Sequence, residues 1–504
     1  MDLTSLSPEI LLLVLSVGIL GLDWFLPKKE KYVIGYCAIL GLSLIFIVVH
    51  FTYGTRLFPE AANVLMSLPD GGSYFQGFVV DALALFFKRL FMVAALLALV
   101  YSLAYFSEDA PFQGEYYALI LFATLGCFLL VSASDLLAIF VSFELMSLPL
   151  YILCSYLKHN SRSSEAGLKY FLMGAVTSAL LLYGISLVYG SLGTTDLRHL
   201  VSPGPVSLVR LAQDPVLLMG LLFILSALAF KIAAVPFHMW APDVYEGAPT
   251  PVVAFLAVAP KIAVIGLLIR VFLSSMSEAG LFWSWAFAIL GALSMTVGNL
   301  MALHQQNLKR LLAYSGITQM GYFLVGLSAM ASLPPLSVPS LQIAYQAVLF
   351  YLVAYLFSEL TAFGVVTYLS AKGYETVNSC RGLSSRYPIV SLVFLISLLS
   401  LAGIPPMVGF VGKFYLFVAA FSSKLYWLVA LGVLNSVVSL FYYLRIAKAM
   451  YIEKESQEVK LGKPFIPLET ALWVGGFVVV LIGIFPKLVV NLAVSALQRY
   501  LVGF

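Results

Sequence analysis

The stretch ALAFKIAAVPFHMWAPDVYEGAPTP, from Ala227 to Pro251, is apolar enough to lie in a membrane, yet it carries Lys231 and breaks at Pro236. A charged lysine at the centre of a membrane helix costs about 2.5–3.5 kcal/mol on insertion scales. A proline inside a helix removes a backbone hydrogen bond. Irregular backbone at membrane depth is tolerated only inside protein or beside water. The stretch therefore reads as a broken span turned toward the interior of a helix bundle.

The rest of the chain fits that reading. Of 504 residues, 62% are hydrophobic and only 10% charged, against about 25% charged in a soluble domain. The mean hydropathy is +1.00. The expected class is an all-α polytopic membrane protein with no large soluble domain. The net charge of +4 is small and carries no information about nucleic acid, and no nucleic-acid partner is expected. Cys37, Cys127, Cys154 and Cys380 form no CxxC pair and no His/Cys cluster, so they read as small apolar residues rather than a disulfide frame or metal site.

A bilayer core needs roughly 20 apolar helical residues. Fourteen runs qualify, near 8–26, 32–53, 78–104, 115–133, 135–156, 166–193, 214–235, 251–274, 280–303, 308–330, 340–370, 387–421, 425–450 and 468–485. The first, followed by PKKEK, reads as a retained span rather than a cleaved signal. The stretch after Pro486 is amphipathic and suits a membrane surface. Lys28, Lys29, Lys31, Lys158, Arg162, Lys309, Arg310, Lys372, Arg381, Arg386, Arg445, Lys448, Lys454, Lys460 and Lys463 fall in one set of connections. The opposite set holds few, among them Arg56, Arg198, Arg210, Lys424 and Lys487. The basic side is expected to be cytoplasmic.

The twelfth run breaks as the seventh does, at LAGIPPMVGFVGKF, with Pro405, Pro406 and Lys413. Five runs separate the two breaks, and an odd offset reverses the chain direction. Paired broken helices in matching positions point to a transport site between inverted repeats. The expected division is an N-terminal three-helix segment (1–110), a first half-channel (111–275), a second (276–451) and a C-terminal helix with an amphipathic tail (452–504).

Four ionisable residues fall deep in runs: Glu144, Lys231, Lys261 and Lys413. Desolvated acids and bases change charge readily when a neighbour moves, which suits a proton relay. The structural alternative is a static Glu144–Lys231 ion pair, which leaves Lys261 and Lys413 without an acid. Lys169 lies nearer a span end and can snorkel. His238 and His304, at span ends, suit proton shuttling or simple capping. Asp243 and Glu246 suit proton collection or helix capping. Asp81 and Lys88 share a helix face and read as a local charge pair. Glu359, inside the eleventh run, has no local partner.

FKIAAVPFHMWAPDVYEGAPTPVVAFLAVAPKIA, NLKRLLAYSGITQMGY and SLAGIPPMVGFVGKFYLF together resemble the subunit N family of bacterial NADH-quinone oxidoreductase, respiratory complex I. The resemblance runs nearly the whole chain. It implies fourteen helices with two inverted five-helix half-channels in a multi-pass inner-membrane subunit. It implies that Glu144 and Lys231 are the Glu–Lys pair of the first half and that Lys169 is the sixth-helix lysine. Lys261 would link the halves, and Lys413 would serve exit from the second. It further implies no cofactor in this chain, with FMN, iron–sulfur clusters and quinone in other subunits. The partners implied are sister antiporter-like and small membrane subunits. Two residues depart from the pattern: Gln319, where relatives often carry histidine, and Glu359, where they usually carry a neutral residue. The alternatives are an Mrp-type cation/proton antiporter, a ferredoxin-dependent relative, and a membrane spacer whose charges only fix packing.

Overall fold

The computed structural model describes residues 6–27, 30–54, 73–75, 77–106, 113–201, 206–274, 277–332, 338–454 and 465–501. Lys28, Lys29, Arg56, Lys460 and Lys463, counted above toward the charge bias, lie outside the described residues. The chain opens with α1 (Ser7–Phe25) and α2 (Tyr32–Gly54). A short antiparallel pair, β1 (Ser73–Phe75) and β2 (Phe78–Val80), leads into α3 (Ala82–Tyr105). Then come α4 (Gln113–Ser132), α5 (Leu136–Cys154), α6 (Ser161–Leu192), α7 (Pro215–Lys231), α8 (Trp240–Gly247) and α9 (Thr250–Leu268). The second half holds α10 (Gly280–Leu303), α11 (Leu308–Ser332), α12 (Val338–Ser370), α13 (Pro388–Ala402), α14 (Val408–Ser422) and α15 (Tyr426–Tyr451). The chain finishes with α16 (Ile466–Ile484) and α17 (Lys487–Leu501).

Among the described residues, eleven helices are long and apolar enough to cross a membrane. The other three expected runs fall on α11, which is polar and buried along nearly its whole length, and on the two broken spans, α7–α8 and α13–α14. The most apolar window is fully buried in the segment containing α9 and 94% buried in α12, against 33% in α2, α6, α15 and α16. A helix apolar all round belongs in a core, so α9 and α12 form the axis. The outer helices turn side chains such as Val176, Phe441 and Phe477 outward.

Local chemistry explains where helices start. Asn160 accepts from the Arg162 amide, so α6 begins five residues before its apolar run. Asp214 caps the Leu217 amide, and Pro215 takes the first position of α7. In α17, Val489, Ala493 and Ala496 are buried where the helix meets α3 and α12, while Lys487, Leu488 and Leu492 face outward. The amphipathic tail thus has a seat on the bundle.

The first break spans residues 232–239, where Ala233 takes a φ of 57°. Its polar groups find protein partners. Ser294 of α10 accepts from the Val235 amide at 2.9 Å, and the Trp240 indole donates to the Phe230 carbonyl at 2.9 Å. The second break turns at Gly403, whose φ is 87°. A Cβ at Gly403 would stand 3.1 Å from Lys413 Cδ, so glycine meets both the turn and the close approach of that lysine.

Asp81 and Lys88 do not pair with each other as expected. Lys88 pairs with Glu9 of α1 at 2.5 Å, both buried. Asp81 caps α3 through the Ala84 amide and receives two bonds, 2.9 and 3.1 Å, from Arg270 in the π-helical turn after α9. Arg270 also donates to the Val131 carbonyl at 3.0 Å. The first clamp ties α1 to α3, and the second ties the start of α3 to the turn after α9. Breaking a buried pair by removing one partner costs about 3–5 kcal/mol, whereas replacing both with apolar residues is often close to neutral. Asp81→Ala is therefore expected to lower the thermal unfolding midpoint of the purified protein sharply, and Asp81→Leu with Arg270→Met to recover most of the loss.

Candidate functional site

Lys231 ends α7, and the residue is 2% exposed. It donates to Ser147 Oγ of α5 at 2.8 Å. The rings of Phe143, Tyr151 and Tyr170 surround it, with centroids 5.2, 5.4 and 5.0 Å away. A cation held by ring faces is attracted by their quadrupoles without a counter-charge. Glu144 is one turn from Ser147 on α5, half-buried, and accepts a short hydrogen bond from Ser178 of α6. The static Glu144–Lys231 ion pair is thus absent: each group is held by its own serine. The break beside Lys231 is likewise closed by Ser294 and Trp240.

Lys261 sits mid-helix in α9 with 1% exposure and makes no hydrogen bond or ion pair among the described residues. Glu359 of α12 is 0% exposed, and both its oxygens lack a partner among them too. The two approach one point beside Gly316 of α11. Glu359, which had no local partner in sequence, faces a lysine 98 positions away.

Lys413 of α14 is 3% exposed, and three oxygens surround it. It donates to the carbonyls of Leu401 and Ala402 at 2.8 and 3.1 Å and to Ser436 Oγ at 3.1 Å. The two carbonyls lie at the C-terminal end of the half-helix α13, where the helix dipole is negative. The Tyr322 ring lies 4.4 Å from the ammonium. Gln319 donates to the same Leu401 carbonyl at 3.0 Å and contacts Tyr443 at 3.4 Å. It also accepts a short bond from Tyr351. Tyr443 meets Ser315 at 2.5 Å, so a polar trail runs from Ser315 beside Gly316 to Lys413.

Lys169 belongs elsewhere. It is exposed and pairs with Glu165 and Asp243, each at 2.8 Å. Arg310 bonds Asp243 at 2.6 Å and Glu246 at 3.0 Å. These residues and Arg162 line a cavity of about 260 Å³. Asp243 is thus held between two cations, Lys169 and Arg310. Lys309 and Arg445 do not behave as loop charges either. Lys309 is buried and donates to the Ala248 carbonyl at 3.0 Å, and Arg445 donates to the Leu303 carbonyl at 2.8 Å. His238 is buried in the first break with Nδ1 unpartnered among the described residues. His304 caps α10 locally, 3.3 Å from the Leu300 carbonyl. The cysteines are free thiols.

Residues 133–439 match the transmembrane family described as NADH:quinone oxidoreductase/Mrp antiporter. The chain is 41% identical to NADH-quinone oxidoreductase subunit N of Moorella thermoacetica, over 98% of both chains. It is also similar to a chain of respiratory complex I from Thermus thermophilus with bound aureothin. There the TM-score is 0.77 and the identity 31%, over 96% of this chain and 98% of that one. A chain of the Mrp complex from Dietzia shares the fold at TM-score 0.81 with 21% identity, over 99% and 98% of the two chains.

Exposure separates the lysines into two classes that reagents can tell apart. An amine-reactive label applied to the folded protein is expected to modify Lys169 readily and leave Lys231, Lys261 and Lys413 unmodified, as read by peptide mass spectrometry. Asp243→Asn should raise the rate at Lys169 further by removing one of its two anchors.

Proposed function

The chain belongs to the NADH-quinone oxidoreductase subunit N family, and from that premise we propose that its proton path runs through Lys231, Lys261 and Lys413, with Glu144 and Glu359 as the acids beside them. The protein is a proton-translocating, multi-pass subunit of the membrane arm of complex I in the bacterial inner membrane. Its partners are other membrane-arm subunits. FMN, iron–sulfur clusters and quinone belong to other subunits, and this chain's residues move protons.

One observation carries the assignment. Three buried lysines on three helices are held by rings, hydroxyls and carbonyls, and none touches a carboxylate. A spacer that used charge only for packing would pair its charges, as Glu9–Lys88 and Asp81–Arg270 do. Unpaired buried charges respond strongly to a neighbour. A carboxylate coming within about 4 Å is worth about 4 kcal/mol at an effective dielectric of about 20. That changes proton affinity on the order of a thousandfold.

Glu144 sits one turn from Ser147, which holds Lys231, so exchanging the Ser178 bond for the ammonium needs only a side-chain movement. With the pair together Lys231 keeps its proton, and with the pair apart it can pass it on. Between Lys231 and Lys261 lie Tyr170, Trp240 and Tyr245, whose ring centroids are 4.6 and 6.4 Å apart in sequence of contact. The hydroxyls of Tyr170 and Tyr245 are both unpartnered among the described residues. The charged cavity around Lys169 and Asp243 is placed to collect protons on the side expected to be cytoplasmic. The antiporter alternative is weaker, because identity to the Mrp chain is 21% against 41% to a subunit N.

Lys231→Ala is expected to cut proton pumping and quinone-coupled turnover several-fold in sealed vesicles while leaving NADH oxidation by artificial acceptors intact. Lys231→Arg separates relay from packing, since arginine keeps its charge under all working conditions. It should be as impaired as Lys231→Ala if the residue must release a proton, and near wild type if its charge only holds helices together.

A further inference from the structure

Near the centre of the protein, the Lys261 ammonium, both Glu359 oxygens and the Tyr245 hydroxyl are buried without a hydrogen-bond partner among the described residues. Leaving buried charges unsatisfied costs several kcal/mol each. The packing shows why they gather. Tyr355 of α12 donates to the Ala257 carbonyl of α9 at 2.8 Å. Residues 355 and 359 lie one turn apart on one helix face, as do 257 and 261. That bond therefore sets Glu359 opposite Lys261. The third wall is Gly316 of α11. A Cβ there would stand 3.0 Å from Lys261 Nζ, 3.5 Å from Glu359 Oε1 and 3.8 Å from Tyr355 Oη. The Tyr245 ring centre is 5.5 Å from the ammonium.

The geometry points to a bound-water site between Lys261 and Glu359, kept open by Gly316, across which these two residues exchange a proton. A buried water typically takes about three hydrogen bonds. The ammonium supplies a donor and the carboxylate an acceptor. As an N–H bond of Lys261 breaks, an O–H bond forms on the water. A second O–H bond of that water breaks as the Glu359 carboxyl gains its proton. The water is regenerated, and the products are a neutral amine and a neutral acid, so the step creates no net charge in the interior. Glu359 is thereby a further proton-carrying residue, and Gly316 a positioning residue. The Ser315 hydroxyl, adjacent in sequence, begins the polar trail toward Lys413.

This site rests on the proton-translocating role proposed above, and the test separates the two. The whole complex carrying Glu359→Gln, Gly316→Ala or Lys231→Ala is assayed in sealed vesicles for protons pumped per NADH oxidised. Infrared difference spectra on reduction with NADH are recorded on the same samples. Glu359→Gln and Gly316→Ala should each lower pumping several-fold, although the second removes no titratable group. The double variant should be no worse than either single one. A carboxylic C=O band should vanish in Glu359→Gln and shift in Gly316→Ala. Both atoms nearest a Cβ at Gly316 are ends of flexible side chains, so the alanine is sterically tolerable. Should it fail to assemble, the isosteric Glu359→Gln decides. Full pumping and an unchanged spectrum in both variants, with Lys231→Ala impaired, would overturn the water site alone. Full pumping in Lys231→Ala would overturn the underlying role as well.

Discussion

The cost of an ammonium out of water governs this architecture. Each buried lysine must be solvated by protein, and the choice of partner decides what it can do. A carboxylate in contact fixes the charge, as in Glu9–Lys88 and Asp81–Arg270, which fasten the N-terminal helices. Neutral partners leave the charge tolerated but not locked. Lys231 has a serine and three rings, Lys413 has two half-helix carbonyls and a serine, and Lys261 has ring contact with Tyr245. The same residue type is thus locked by a carboxylate in α3 and left to neutral partners along the axis, where the proposed path needs it responsive.

The broken helices serve this solvation. An intact helix spends its carbonyls on its own amides, whereas a helix that stops in mid-membrane has carbonyls to spare. At the second break those carbonyls go to Lys413. At the first, the Phe230 carbonyl is shared by the Ala233 amide and the Trp240 indole, and Lys231 looks to α5 and α6 instead. The two breaks therefore share a cause in sequence but not a use. One supplies the ligands of its lysine, and the other positions the aromatic cage, since Trp240 stacks on Tyr170 at 4.6 Å.

What could be read from the sequence follows from how local each signal is. Apolar runs of bilayer length, prolines at breaks and ionisable residues within runs are properties of a few neighbouring positions, so the helical class, both breaks and the buried lysines were legible. Pairings between distant helices were not. Asp81 and Lys88 share a face, yet their partners are Arg270 and Glu9. Lys309 and Arg310 looked like loop charges because a connection precedes them, but they sit in the first turn of α11 and face α8. Glu359 had no acid–base neighbour within several turns, and only the packing of α12 on α9 supplies one. Gly316 carried no signal, because a glycine in a helix declares nothing about what it admits from another.

The order of acids and bases along the axis has a consequence for coupling. Glu144 belongs to the first half and stands near Lys231. Glu359 comes from α12 and faces Lys261 of α9. Where α9 meets α12, an acid thus stands opposite a base without touching it. On the proposed path, a charge movement at Glu144 would alter the field at Lys231 and then at Lys261, with the rings of Tyr170, Trp240 and Tyr245 in contact between them. The Tyr355–Ala257 bond keeps α9 and α12 in register one turn away. On the proposed path, Lys261 and Glu359 would therefore change protonation without the helices sliding past each other.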